Sequence, residues 1–211
     1  MTDLLLFPFG GNSKEALGVI EAVNSSQKTW NVLGFIDDDT SKHGQIFSGI
    51  EVLGGRELLS QYKDAKLIAI PGAPKTYLNR REIIVSLGVP KNRFAKIIHP
   101  AVSLSSGIDI GVNTVILPGV FISAGARIGD HCFIRPNTVI SHDVTIGDYC
   151  LIGSNISLSG GIKLGECCYI GPGSVLKQDI EIGEGSMIGM AAVVMESVAP
   201  YTVFRCRRQN T

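Results

Sequence analysis

The stretch that decides the fold is NTVISHDVTIGD, residues 137–148. The isoleucines in and around it fall six apart, at Ile134, Ile140, Ile146 and Ile152. Stepping outward by six keeps the pattern intact: Ile98, Leu104, Ile110, Ile116, Ile122 and Ile128 lie upstream. Leu158, Leu164, Ile170, Leu176, Ile182, Ile188 and Val194 lie downstream. Seventeen consecutive positions are aliphatic, without one insertion. Helices repeat every 3.6 residues and strands every two, so a period of six belongs to a hexapeptide β-helix. Each hexapeptide forms one side of a triangular prism, three sides make an 18-residue coil, and the aliphatic residue points inward.

The 18-residue period can be read separately at the corners. One corner reads Gly111, Gly129, Gly147, Gly165, Gly183, and another reads Ser105, Ser123, Ser141, Ser159, Lys177. The glycine column predicts a turn that relieves Cβ strain. Cys132, Cys150 and Cys168 are also 18 apart and share a column with Thr114 and Ser186. They read as small buried fillers. Their stacking does not forbid a disulfide, but a reducing compartment does not favour one.

The first half has a different rhythm. Residues 3–11 form an apolar run closed by glycines, and residues 13–25 carry apolar residues at helical spacing, with Ser13 expected as N-cap. Strands are expected at 32–38 and 66–72, and helices at 56–62 and 75–89. This alternation predicts a Rossmann-like α/β domain with a small parallel sheet. The expected organisation is an α/β domain over 1–97, a left-handed parallel β-helix over 98–197, and a tail over 198–211.

Composition excludes several functions. Nineteen basic residues balance nineteen acidic ones, which gives no electrostatic reason to expect nucleic acid. No run approaches the 18 apolar residues of a membrane span, so no membrane insertion is expected. The start lacks a basic n-region, so it reads as a first strand and the protein as cytoplasmic. No C-x-x-C occurs and no metal is expected. GxGxxG is absent, which argues against NAD.

His142 and Asp143 stand at a corner of the prism. The residues stacked on His142 are Ala124 and Gly160, so the imidazole faces open space. Asp143 has Gly125 and Gly161 as neighbours. Imidazole titrates near neutrality and suits a general base, and a carboxylate can orient it. The adjacency alone leaves open whether Asp143 reaches its own neighbour. Gly160 and Gly161 offer backbone amides one coil away. His131 reads as solvent-facing at its glycine corner, His99 as a packing or capping residue, and His43 as a loop residue.

HPAVSLSSG, NTVISHDVTIGD and GGIKLGECCYIGPGSVL together resemble the hexapeptide-repeat acyltransferases. The loop FGG-x-x-K and GFIDDD, preceding the prism, resemble one subgroup across the whole chain. That subgroup is the nucleotide-sugar acetyltransferases, which includes the bacillosamine, perosamine and sialic acid enzymes. The resemblance implies a homotrimer with active sites between subunits, and acetyl-CoA in the groove between prisms. It implies His142 as base with Asp143, and Asn137 from the same motif. It also implies a nucleotide-linked amino sugar held by Gly10, Gly11, Asn12, Ser13, Asp37 and Asp38. For acetyl-CoA, Gly160, Gly161 and Arg207 are candidates; Arg205 and Arg208 flank Arg207. The chain departs from the family loop: Pro8, Asn12 and Ser13 stand where the group has glycine, histidine and glycine. The expected activity is N-acetylation, for surface glycan biosynthesis. Sugar O-acetylation and a non-catalytic scaffold are the alternatives.

Overall fold

The computed structural model describes residues 1–205. Five strands make the first sheet: β1 (Thr2–Phe7), β2 (Trp30–Ile36), β3 (Ile46–Phe47), β4 (Ile50–Gly54) and β5 (Lys66–Ala69). Their order is β3-β4-β2-β1-β5, parallel except for the β3–β4 hairpin. That hairpin turns at Ser48-Gly49, both at positive φ, the conformation of a two-residue hairpin loop. The sequence reading passed over it.

Helix α1 spans Gly11–Ser26 and α2 spans Arg80–Ser86. The N-cap of α1 is Gly10, not Ser13; the helix starts two residues before Ser13, whose side chain is buried in the first turn. The expected helix over 75–89 is shorter, with a 3-10 turn at Tyr77–Asn79 leading into α2. The segment around Arg56–Ser60 is likewise 3-10.

The second part is the expected left-handed parallel β-helix. Three flat sheets of two-residue strands run along it, each strand pairing in parallel with the one 18 residues on until the last coil, where Met187 pairs with Val203. Ile116, Ile122, Ile128, Ile134, Ile140, Ile146, Ile152 and their successors form one continuous core. Val203–Phe204 pairs with Met187–Ile188, so the prism runs on into the segment read as a tail from 198.

The corner geometry corrects the reading of the glycine column. Gly111, Gly129, Gly147, Gly165 and Gly183 have no positive φ. They are needed because the next coil passes too close: a Cβ on Gly147 would stand 2.7 Å from the Glu166 nitrogen. The left-handed position lies two residues later, and recurs every six through Asn113, Gly119, Gly125, His131, Asn137, Asp143 and Tyr149. Asparagine, aspartate and glycine tolerate it best. The buried cysteines Cys132 and Cys150 are free thiols facing glycine carbonyls of the next coil, Gly147 and Gly165.

The three faces differ in what points outward. The first carries Asp109, Arg127, Thr145, Lys163 and Glu181 and is polar. The second carries Val115, Phe133, Leu151, Tyr169 and Met187 and merges with Leu4, Leu6, Ala16, Ile20 and Ile68 into one hydrophobic cluster. The α/β domain is therefore seated on this face. The third carries Phe121, Val139, Val175 and Val193, which are 41%, 41%, 45% and 61% exposed, with Ser157 between the valines and Ser103 at its start. It is apolar and uncovered within one chain.

Arg80 fixes the seat. It is fully buried, and its guanidinium donates to the carbonyls of Pro71, Tyr149 and His131. Burial without a carboxylate lowers its pKa to about 10. Asn113 extends the edge of β5: its Oδ1 accepts from the Ala69 N–H at 2.7 Å and its Nδ2 donates to the Ala69 carbonyl at 2.6 Å.

Candidate functional site

His142 and Asp143 occupy the corner between the Val139 face and the Thr145 face. Ile140 and Ile146 on either side are buried, while His142 and Asp143 side chains are 69% and 72% exposed. The question that sequence left open is answered by geometry. Asp143, in the left-handed position of the turn, places Oδ2 2.9 Å from His142 Nδ1. An ionised carboxylate only accepts, so in the neutral imidazole Nδ1 carries the proton and Nε2 presents its lone pair outward.

The stacked neighbours explain the pose. The imidazole lies over Gly160: a Cβ there would stand 2.6 Å from both Cε1 and Nε2. The Asp143 carboxylate lies back over Gly125, where a Cβ would meet Oδ1 at 2.5 Å. Both glycines are what the pair requires. Of the two amides beside it, Gly161 N–H is already donated to the His142 carbonyl at 3.0 Å. Gly160 N–H has no partner among the described residues, and it alone is available to an incoming oxygen.

The nucleotide-side residues lie elsewhere. In the sheet, β1 has β2 on one side and β5 on the other, so the chain changes direction beyond the carboxyl end of β1. Open parallel sheets bind ligands in that crevice. A cavity of about 230 Å³ lies there, lined by Gly10 to Ser13 on one side and by Ile70 and Gly72 to Pro74 on the other. Gly10 and Gly11 have no positive φ, and a Cβ on either would meet nothing within 4 Å. Neither the backbone nor the packing demands a glycine there; the space is open to an approaching ligand. Asn12 closes one wall, its Nδ2 donating to the Ile70 and Gly72 carbonyls at 3.0 Å.

Asp37 and Asp38 have partners of their own. Asp37 is buried, accepts from Lys42 Nζ at 2.8 Å and caps the Asp39 N–H. Asp38 pairs with Arg56, which holds its carboxyl below the usual range. Asn137 is exposed at a different corner from His142, in the left-handed position of its own turn. Arg207 and Arg208 lie outside the described residues, and Arg205 is exposed at the end of the prism.

One chain does not bring these groups together. The α/β domain sits on the Phe133 face, and in a triangular prism the corner bearing His142 is opposite that face. Gly10 to Ser13 therefore belong to one side of the molecule and His142 to the other.

His131 departs from its expectation of facing solvent. It is buried beneath the α/β domain, stacked on Tyr149 at 4.7 Å and edge-on to Phe94 at 4.9 Å. Its Nδ1 is 2.9 Å from Asn113 Nδ2, and burial lowers its pKa to about 4. The seat around it, Arg80 above all, went unread in the sequence. The signal that could have found it is the large apolar series Val115, Phe133, Leu151, Tyr169, Met187, one residue before each core position. His99 Nδ1 accepts from the Ala101 N–H, a local cap as expected.

Comparison with known proteins agrees with this architecture. The family model "Bacterial transferase hexapeptide (six repeats)" matches residues 125–155 and 143–178. No curated protein matches the chain. Among solved structures, the acetyltransferase domain of PglB from Neisseria gonorrhoeae FA1090 superposes with a TM-score of 0.82 at 23% identity, covering 98% of this chain and 97% of that one. PerB from Caulobacter crescentus, in complex with CoA and GDP-perosamine, gives 0.79 at 21% identity, covering 95% and 91%. WeeI from Acinetobacter baumannii AYE gives 0.79 at 23%, covering 97% and 96%. The two-part fold is thus shared from end to end with these three structures. Among the described residues no helix is long and apolar enough to cross a membrane, and no group of His, Cys, Asp and Glu is arranged to hold a metal.

Proposed function

We propose that the protein is an acyltransferase that moves acetyl from acetyl-CoA to the amino group of a nucleotide-linked amino sugar. The observation that carries this reading is the His142 imidazole, held by Asp143 through Nδ1, lying over Gly160 with Nε2 free. The sugar nitrogen attacks the thioester carbonyl while Nε2 takes its proton. The oxyanion that forms is met by the Gly160 N–H. The tetrahedral intermediate collapses, the C–S bond breaks, and the imidazolium returns the proton to the departing CoA sulfur. The Asp143 carboxylate stabilises the imidazolium between these steps. Holding both substrates in line contributes a large share of the rate.

The working unit in this reading is a homotrimer. Two features support it: the uncovered apolar Val139 face adjoining the His142 corner, and the α/β domain seated on the opposite side of its own chain. A neighbouring subunit's nucleotide cavity can then face this chain's His142, with acetyl-CoA between the prisms. The bound CoA and GDP-perosamine of PerB, and perosamine N-acetyltransferase itself, support the substrate class. Surface glycan biosynthesis in the cytoplasm is the expected setting.

The test is thiol release from acetyl-CoA with a panel of UDP-, dTDP- and GDP-linked amino sugars. Turnover with at least one, abolished in His142→Ala, is expected. Turnover only with sugar hydroxyl acceptors would replace N- by O-acetylation.

A further inference from the structure

Arg135 belongs to the prism, yet it meets the α/β domain at the edge of the nucleotide cavity. Its Nη2 donates to Asn12 Oδ1 at 2.8 Å, and its Nη1 donates to the Glu15 carboxylate at 2.7 and 3.0 Å. The orientation of the Asn12 amide is fixed, because its Nδ2 is committed to two carbonyls and its oxygen must face Arg135. The guanidinium also lies 5.3 Å from the Phe133 ring centre. It is thus locked in place without any ligand. Arg135 lines the cavity beyond β1 and the adjoining one that runs to Ser154 and Tyr169. Its Nε–H has no partner among the described residues.

Across that cavity is the start of α1. The helix has sixteen residues, no side-chain cap and no acidic residue in its first turn. Its leading N–H groups have no intrahelical acceptor, and the helix dipole favours an anion there. A second observation points the same way. Ser13 is completely buried and lines the cavity, and its Oγ has no hydrogen-bond partner. A buried hydroxyl without a partner is costly, and a ligand oxygen would satisfy it.

Resting on the nucleotide-sugar reading, we propose that Arg135 is a specificity-determining residue that selects a diphosphate linkage between nucleoside and sugar. One phosphate sits on the α1 amides and the Ser13 hydroxyl. The second, next to the sugar, is met by the Arg135 guanidinium, which is planar and suited to phosphate oxygens. Recognition of the diphosphate is thereby divided between the α/β domain and the prism, and the sugar leads away from the phosphates along the prism side of the cleft. Glu15 competes with the phosphate for the same guanidinium.

The test is titration calorimetry of the full-length protein with UDP, GDP and dTDP and with the matching monophosphates, for wild type, Arg135→Ala, Arg135→Lys and Glu15→Gln. Wild type is expected to bind one diphosphate at least tenfold tighter than its monophosphate. Arg135→Ala should remove that difference while leaving monophosphate affinity within about twofold. Arg135→Lys should restore part of it. Glu15→Gln should bind diphosphate as tightly or more tightly; a merely structural Arg135–Glu15 brace would make it weaker. Equal loss of both nucleotides in Arg135→Ala, or no loss, overturns the role of Arg135 alone. Failure of wild type to bind any nucleotide overturns the nucleotide-sugar reading and this inference with it.

Discussion

Two histidines of one prism, His131 and His142, stand two corners apart along the chain, and they have opposite environments. His131 is sealed beneath the α/β domain between Phe94 and Tyr149, tied to Asn113, with its pKa lowered to about 4. His142 stands in the open on a glycine, oriented by one carboxylate. The repeat supplies the same kind of turn to both, with His131 in its left-handed position and His142 one residue before it, where Asp143 takes that position. What differs is which face the α/β domain covers, and how small the stacked neighbours are. A histidine in this fold gains room for a ligand from the atoms its neighbours lack.

The comparison breaks most visibly if the open histidine is removed. His142→Ala should lower kcat by about a thousandfold, within the usual range for a general base. Its thermal midpoint should match wild type, because the exposed ring carries little of the fold. Steady-state thiol release and a melting curve together check it. An unchanged kcat would refute the base assignment, and with it the difference drawn between the corners.

Next is the glycine under the ring. Gly160→Val puts a Cβ where the imidazole lies, 2.6 Å from Nε2. The ring must move by an ångström or more, which costs about a hundredfold in kcat. Acetyl-CoA and sugar saturation curves under the same conditions separate this from a binding effect. A variant as active as wild type would mean that the imidazole works from another pose.

The sealed histidine should show itself in stability instead. Its folded pKa, about 4, is below the ordinary 6.5, so the unfolded chain binds this proton more tightly. The contribution is complete above about pH 6.5, is lost as pH falls toward 4, and levels off below. Burial is the main cause; Asp130 and Asp148 oppose it while Arg80 and Lys91 reinforce it. The loss is on the order of 2 kcal/mol over that window. Urea titrations at stepped pH should show it in wild type. The difference should shrink in His131→Asn, since asparagine accepts the left-handed backbone at that position. Identical pH profiles for the two proteins would place the titration elsewhere.

Much of this was legible in the sequence. The period of six is written in full because every coil must bury one aliphatic residue per side, and the 18-residue columns follow from it. The open corner was readable from Ala124 and Gly160 alone. The covered corner was not, for a physical reason: two faces, those of Phe133 and Val139, carry apolar outward residues, and a coil repeat does not say which one the first domain reaches. The same ignorance misplaced His131 and passed over Arg80, whose three carbonyl partners come from segments far apart in the chain. The Ser48-Gly49 hairpin, by contrast, carried its turn signal in two adjacent letters.

The smallest expected effect concerns Asp143, and it sharpens the contrast most finely. Asparagine is nearly isosteric and accepts the left-handed turn, so Asp143→Asn keeps the corner's backbone. At 72% exposure the carboxamide is free to rotate its oxygen toward Nδ1–H, which preserves the tautomer and removes only the charge. A pair this open is weakly coupled through water, so kcat should fall about tenfold, equivalent to roughly 1.4 kcal/mol. A fall as deep as that of His142→Ala requires the opposite condition, a carboxamide locked with its N–H on Nδ1 in a site closed from water. Since a single chain leaves the corner open, that closure would have to come from a neighbouring prism on the Val139 face. The depth of this one effect, measured beside the assembled mass in solution, therefore reports how far the working protein turns the open corner into a sealed one.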